Sequence, residues 1–240
     1  MDKPVIDKIE QLVNEKTLLD IGGQKFSPVQ LKPIVFNPLV DTIVVHTLSG
    51  LCDFISNSIV TNEFVHIIDN KNVQFITPVF GADRKRESPV TAIIDSRLET
   101  FPFGTFLSQE EFAIRFRSQF ERKDGDDSEY VLSFASSLVG GTTIGAEDDG
   151  ITQVVQVKRG LSGAKKDEAA SKPIVKLSPY RTFREITQPE SEFLFRIRLD
   201  LNDAPKVALF EADGGKWIHA AIEGIAAFIA ARLPAVRILA

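Results

Sequence analysis

A chain of 240 residues, 43% hydrophobic and 25% charged, with mean hydropathy near zero, has the make-up of a soluble globular protein long enough for one large domain or two small ones. Its net charge of −5 argues against a general binder of nucleic-acid backbone, which carries a basic footprint. A single cysteine, Cys52, excludes an intrachain disulfide and a cysteine-based zinc site.

From the N-terminus, Met1-Asp2-Lys3-Pro4 lacks the apolar core of a secretory signal. Residues 4–16 then place Val5, Ile6, Ile9, Leu12 and Val13 at helical spacing. Gly22-Gly23 predicts a tight turn between the strands Thr17–Ile21 and Gln24–Phe26. Asp41–Val45 reads as a strand and Leu48–Ile59 as a helix, capped by Thr47 or Ser49, with Leu48, Leu51, Cys52, Ile55 and Ile59 on one face. Phe64–Ile68 and Val73–Thr77 flank Asp69-Asn70-Lys71-Asn72, residue types that accept the backbone of a hairpin turn. Val90–Asp95 is a further strand.

Ser108-Gln109-Glu110-Glu111 is a capping box opening a helix with Phe112, Phe116 and Phe120 on one stripe, and Tyr130–Leu138 continues as a second helical piece. Strands resume at Ile151–Lys158 and Ile174–Leu177, separated by Lys158–Lys172, a polar stretch that reads as an exposed loop or arm. Phe193–Leu201 alternates cleanly: Phe193, Phe195, Ile197, Leu199 and Leu201 face one way, and Leu194, Arg196, Arg198 and Asp200 the other. Lys206–Phe210 is another strand, and Trp217–Arg232 a last amphipathic helix stopped by Pro234, with Ile218, Ala221, Ile222, Ile225, Phe228, Ile229 and Leu233 on its apolar face. Its apolar run is broken by His219, Glu223 and Arg232, so no membrane span is expected. Strands grouped between four or five helices, without regular alternation, give an α+β class with mostly antiparallel sheet. The expected organisation is one α+β domain over 1–240, with sub-lobes 1–140 and 141–240 and an exposed arm at 158–172.

Candidate chemistry is sparse. The glycine spacing of Gly145 and Gly150 matches a phosphate-binding loop, but Ile151-Thr152 follow in place of Lys and Ser or Thr, and Glu147, Asp148 and Asp149 fill it, so a polar turn is expected. Those acids, with Asp124, Asp126, Asp127 and Glu129, lack the register of a calcium loop and read as surface turns. His46, His66 and His219 share no metal-ligand spacing, and Cys52 lies on the apolar face of its helix. No catalytic residue, cofactor or metal is expected. Two surfaces stand out instead. The apolar tail residues Val236, Ile238 and Leu239 are candidates for self-association, against packing on their own domain. Arg84, Lys85 and Arg86, with Arg196 and Arg198 on one strand face, are candidates for a partner or nucleic-acid surface, against scattered surface charge or acidic partners on a neighbouring strand.

Three stretches carry a resemblance. Val44–Ile55 resembles a strand leading into a helix opened by a His, then Thr or Ser, then Leu step, and Phe106–Ala113 a helix start of the form aromatic or apolar residue-Ser-Gln-x-x-Phe. The third is Tyr180–Glu185 with Gln188-Pro189-Glu190-Ser191-Glu192-Phe193. Together they are similar to the YfdQ-like family of phage and prophage proteins of unknown function. That resemblance implies a phage-encoded protein of the host bacterial cytoplasm and supplies no catalytic residues. The expectation is therefore a non-enzymatic protein that forms a homo-oligomer, up to a large assembly, with a nucleic-acid-binding accessory in phage recombination or host takeover as the alternative.

Overall fold

The computed structural model describes residues 3–17, 19–21, 24–26, 41–57, 63–79, 84–138, 143–148, 153–158, 166–170, 172–199 and 204–240. The chain forms two compact units, 1–40 and 41–240. In the first, α1 (Lys3–Thr17) precedes β1 (Leu19–Ile21) and β2 (Gln24–Phe26), an antiparallel pair with Leu19 opposite Phe26. Val5, Ile6, Ile9 and Leu12 of α1 are all exposed.

The second unit runs β3 (Ile43–Val45), α2 (Leu48–Ser56), β4 (Phe64–Ile67), β5 (Asn72–Ile76), β6 (Val90–Ile93), β7 (Leu107–Ser108), α3 (Gln109–Gln119), β8 (Phe120–Glu121), α4 (Ser128–Ser137), β9 (Thr143–Asp148), β10 (Gln153–Lys158), β11 (Lys166–Ala170), β12 (Ile174–Pro179), β13 (Ser191–Leu199), β14 (Pro205–Glu211), α5 (Lys216–Arg232) and β15 (Arg237–Leu239). Five helices and mostly antiparallel sheets among the described residues make this the α+β class the sequence predicts. No described helix is long and apolar enough to cross a membrane.

Two five-stranded sheets organise the unit. The first has the order β15-β4-β5-β6-β3; its two outer strands run parallel to their neighbours and the inner ones antiparallel. Val65 opposes Phe75, and Val73 opposes Ala92, so alternation puts one buried row under α2 and α5. The second sheet, β7-β14-β13-β12-β8, is antiparallel throughout. Phe193, Phe195 and Ile197 of β13 point inward beneath α3 and α4, joined by Val175, Val207 and Leu209. The phenylalanine excess resolves here. Phe101, Phe112, Phe116, Phe120 and Phe134 form a continuous ring cluster over Phe195, with Phe112 and Phe134 at 6.3 and 5.8 Å from it.

Each core draws on both sides of residue 140. The first takes residues of 48–92, then Phe183 and Ile186, then Ile225, Ile229 and Leu233. The second takes residues of 101–138 and of 175–209.

Several expectations need correction. The acidic stretch entered by Gly145 is extended: β9 covers Thr143–Asp148 and pairs with β10, while Asp149 and Gly150 lie outside the described residues. The polar arm at 158–172 includes β11, with Val154 opposite Ala170 and Lys158 opposite Lys166; residues 159–165 lie outside the described set. In both places a β-branched neighbour, β10, supplies the ladder, so polar composition did not decide backbone conformation. Phe120 ends the α3 stripe as a strand residue. Of the strand expected at Phe193–Leu201, the described part starts earlier and runs Ser191–Leu199, while Asp200 and Leu201 lie outside the described residues; Ile218 of α5 is exposed where its spacing suggested burial.

Truncating Phe195 removes the ring at the centre of this cluster. Phe195→Ala is expected to lower stability by about 3–5 kcal/mol. Arg198→Ala, on the outer face of the same strand, is expected to change it by less than about 1 kcal/mol. Equilibrium unfolding in urea checks both.

Candidate functional site

Between β12 and β13 the chain leaves the second sheet, and Pro179 and Pro189 bracket the excursion. Arg181 sits at its start, 6% exposed. Its guanidinium donates to Glu211 and to Ser191 Oγ, and lies 3.8 Å from the Trp217 ring, with Phe193 at 5.5 Å and Phe103 at 5.6 Å. Burial pulls its pKa down to about 10, and the carboxylates of Glu211 and Asp213 oppose that fall. At neutral pH it therefore stays a cation, held by one carboxylate and three aromatic rings.

The rest of the loop reaches into the first sheet's lobe. The Arg181 carbonyl accepts from Asn70 Nδ2 at 2.8 Å, and Thr182 Oγ1 donates to the Asn70 carbonyl at 2.7 Å, which ties the β4–β5 hairpin tip to the loop. Phe183 and Ile186 enter the first core. A Cβ built on Gly224 of α5 would lie 3.1 Å from Ile186 Cδ1, so a glycine there permits the close approach. Glu185 accepts from the backbone N–H of Leu48 at 2.6 Å and of Ser49 at 2.8 Å, and from Ser49 Oγ at 2.5 Å. Thr47 Oγ1 takes the Gly50 N–H at 3.1 Å. The first amides of α2 are thus satisfied jointly by its N-cap and by a carboxylate distant in sequence. Gln188 closes the loop: its Oε1 accepts from the Arg181 N–H at 3.2 Å, and its Nε2 donates to the carbonyls of Phe183 and Ile186. Its own N–H goes to Glu121 at 2.9 Å.

Beside this loop lies a cleft of about 330 Å³. Lys71 and Asn72 line one side, Ile94, Asp95, Leu98 and Glu99 a second, and Tyr180, Arg181 and Arg184 a third. Arg184 lies over the Tyr180 ring at 4.2 Å. Asp95 is bound by Arg97, with contacts of 2.5–3.0 Å, and these hold its carboxyl well below the usual aspartate range. Glu99 pairs with Arg115 at 3.1 Å.

The residues singled out by sequence are distributed as follows. Arg84, Lys85 and Arg86 are exposed beside the first sheet, where Arg86 lies 5.2 Å from the Phe64 ring. Arg196 and Arg198 are on the outer face of the second sheet; Arg198 opposes Lys206 and lies 4.2 Å from Phe106, which meets Phe210 at 5.8 Å. Val236 and Ile238 pack on the first core, and Leu239 is exposed on the edge strand β15. Cys52 is buried, and burial pushes its thiol up, as expected of a packing residue. His46 Nδ1 meets the Ile93 carbonyl at 2.8 Å, and His219 pairs with Glu223 at 3.1 Å on α5. Asp126 and Asp127 are turn acceptors: Asp126 binds the Ser128 N–H and hydroxyl, and Asp127 the Lys176 N–H and Lys172 Nζ. No group of three His, Cys, Asp or Glu that could hold a metal forms among the described residues.

The roles of Glu185, Gln188, Lys71 and Arg184 were not legible in sequence, where the loop stood out only as one of the three stretches that carry the resemblance. Comparison with protein-family models, curated proteins and solved structures finds no match.

Trp217 is the sole tryptophan, so its fluorescence reports on the Arg181 contact. Arg181→Met is expected to shift that emission. It should also destabilise the fold by about 2–4 kcal/mol, since it leaves Glu211 unpaired, though at the half-exposed end of the contact. Unfolding followed by fluorescence measures both.

Proposed function

We propose that this is a non-enzymatic protein, encoded by a phage or prophage, that works by self-association into a homo-oligomer. The phage assignment rests on the resemblance of Val44–Ile55, Phe106–Ala113 and Tyr180–Phe193 to the YfdQ-like proteins. The uncovered apolar stripe of α1 carries the self-association. Val5, Ile6, Ile9 and Leu12 are each 43–50% exposed on a 15-residue helix. A helix of that length is marginal without a packing partner, and laying two such stripes together removes apolar surface from water on both. The first sheet adds apolar side chains at both outer strands, with Ile43 and Val44 of β3 exposed at one end and Leu239 of β15 at the other.

Mass photometry at micromolar and lower concentration is expected to show particles larger than 26.6 kDa. Ile6→Glu combined with Ile9→Glu should shift them toward monomer while the unfolding transition of the 41–240 unit is kept. A wild-type monomer throughout that range would sink the reading.

A second reading, a nucleic-acid accessory, is favoured by the outer face of the second sheet. There Arg196, Arg198 and Lys206 accompany Phe106 and Phe210, the residue types that hold the backbone and bases of a single strand. It expects retention of single-stranded DNA at low salt, weakened by added salt and by Arg198→Ala. Passage of the DNA unretained at low salt removes it.

A further inference from the structure

We infer that the cleft between the β4–β5 hairpin tip and the Tyr180–Arg184 turn binds a small phosphate-bearing molecule of about mononucleotide size. Its volume of about 330 Å³ falls at the lower end of the range for small-molecule sites, about 300–1,000 Å³. Charge then selects the ligand. The acids of the cleft are neutralised in place, Asp95 by Arg97 and Glu99 by Arg115, and the buried cation Arg181 is neutralised by Glu211. Lys71 and Arg184 line the same cleft and form no ion pair among the described residues. Two uncompensated cations facing a partly enclosed space make it attractive to an oxyanion.

Lys71 and the ring that supports Arg184 are held on fixed backbone. The Lys71 N–H donates to Asp69 Oδ1 at 2.6 Å and its carbonyl accepts from Ile94 N–H at 3.1 Å; the Tyr180 N–H is fixed on the Gln119 carbonyl at 2.8 Å. Stacking on Tyr180 orients the Arg184 guanidinium, whose fork of N–H donors matches two phosphate oxygens, while an ammonium binds as a point charge. Ile93, Ile94 and Leu98 give the cleft an apolar wall for a flat group attached to the phosphate. Positioned donors on rigid elements reduce the ordering penalty of binding.

The test is isothermal titration calorimetry of the full chain at low ionic strength and neutral pH, with inorganic phosphate and adenosine monophosphate as separate probes. Saturable binding of either probe is expected, weakened roughly tenfold or more in the Lys71→Ala, Arg184→Ala double variant and unchanged in Arg117→Ala, an exposed cation of α3 that does not line the cleft. Equal affinity for the two probes supports recognition of phosphate alone, and tighter nucleotide binding supports use of the apolar wall. If the double variant melts early, the exposed Lys71→Glu variant replaces it, with the same loss expected. No saturable binding at millimolar probe, or binding that survives these substitutions, overturns the inference.

Discussion

The 41–240 unit depends on placing one cation, Arg181, where it is almost wholly withdrawn from water. An unpaired guanidinium there would be strongly unfavourable, so its surroundings must supply an acceptor set and polarisable faces. Glu211 and Ser191 supply the first, and Trp217, Phe193 and Phe103 the second. These partners come from β13, β14, the start of α5 and the loop before β7, so satisfying a single side chain fixes the relative positions of four segments. The turn Asp213-Gly214-Gly215, with both glycines at positive φ, lets α5 start immediately after β14 and bring Trp217 onto the guanidinium.

With Arg181 fixed, the loop that follows has few choices. Thr182 and the Arg181 carbonyl clasp Asn70, Phe183 and Ile186 fall into the first core, and Glu185 arrives at the open end of α2. Gln188 ties the loop's own backbone together and hands its N–H to Glu121. The two hydrophobic cores are therefore joined by a polar element rather than by a shared apolar layer. Such an element specifies one arrangement, because each of its buried donors and acceptors has a directional partner that a slipped register would leave unsatisfied.

Legibility in the sequence followed the range of the forces involved. Elements set by local periodicity were readable: the alternation in β13, the capping by Ser108 and Thr47, the Asp69–Asn72 hairpin and the α5 face at Ala221, Ile225 and Ile229. Elements set by a neighbour were not. β9 and β11 are polar and take their conformation from pairing with β10, and β15 is a strand because β4 offers it an edge. The loop at 180–190 carried part of the resemblance but its work was hidden, since the partners Asn70, Glu121, Leu48 and Glu211 lie far away in the chain. The same holds for the cleft. Lys71 and Arg184 read as ordinary surface charges until the fold places them on one hollow and neutralises the acids around them.

The loop also divides its residues between two tasks. Arg181, Thr182, Phe183, Glu185, Ile186 and Gln188 turn toward the fold and are buried or hydrogen-bonded there. Tyr180 and Arg184 line the cleft, whose wall Arg181 and Thr182 also reach, and Arg184 immediately precedes the carboxylate that caps α2. A ligand drawing on Arg184 would act on a backbone that already holds α2, the hairpin tip and both cores in place. Any molecule that binds only the folded arrangement of this loop stabilises it by mass action. Occupancy of the cleft and integrity of the junction between the two sheets are in that sense one equilibrium, because the same turn of chain supplies both.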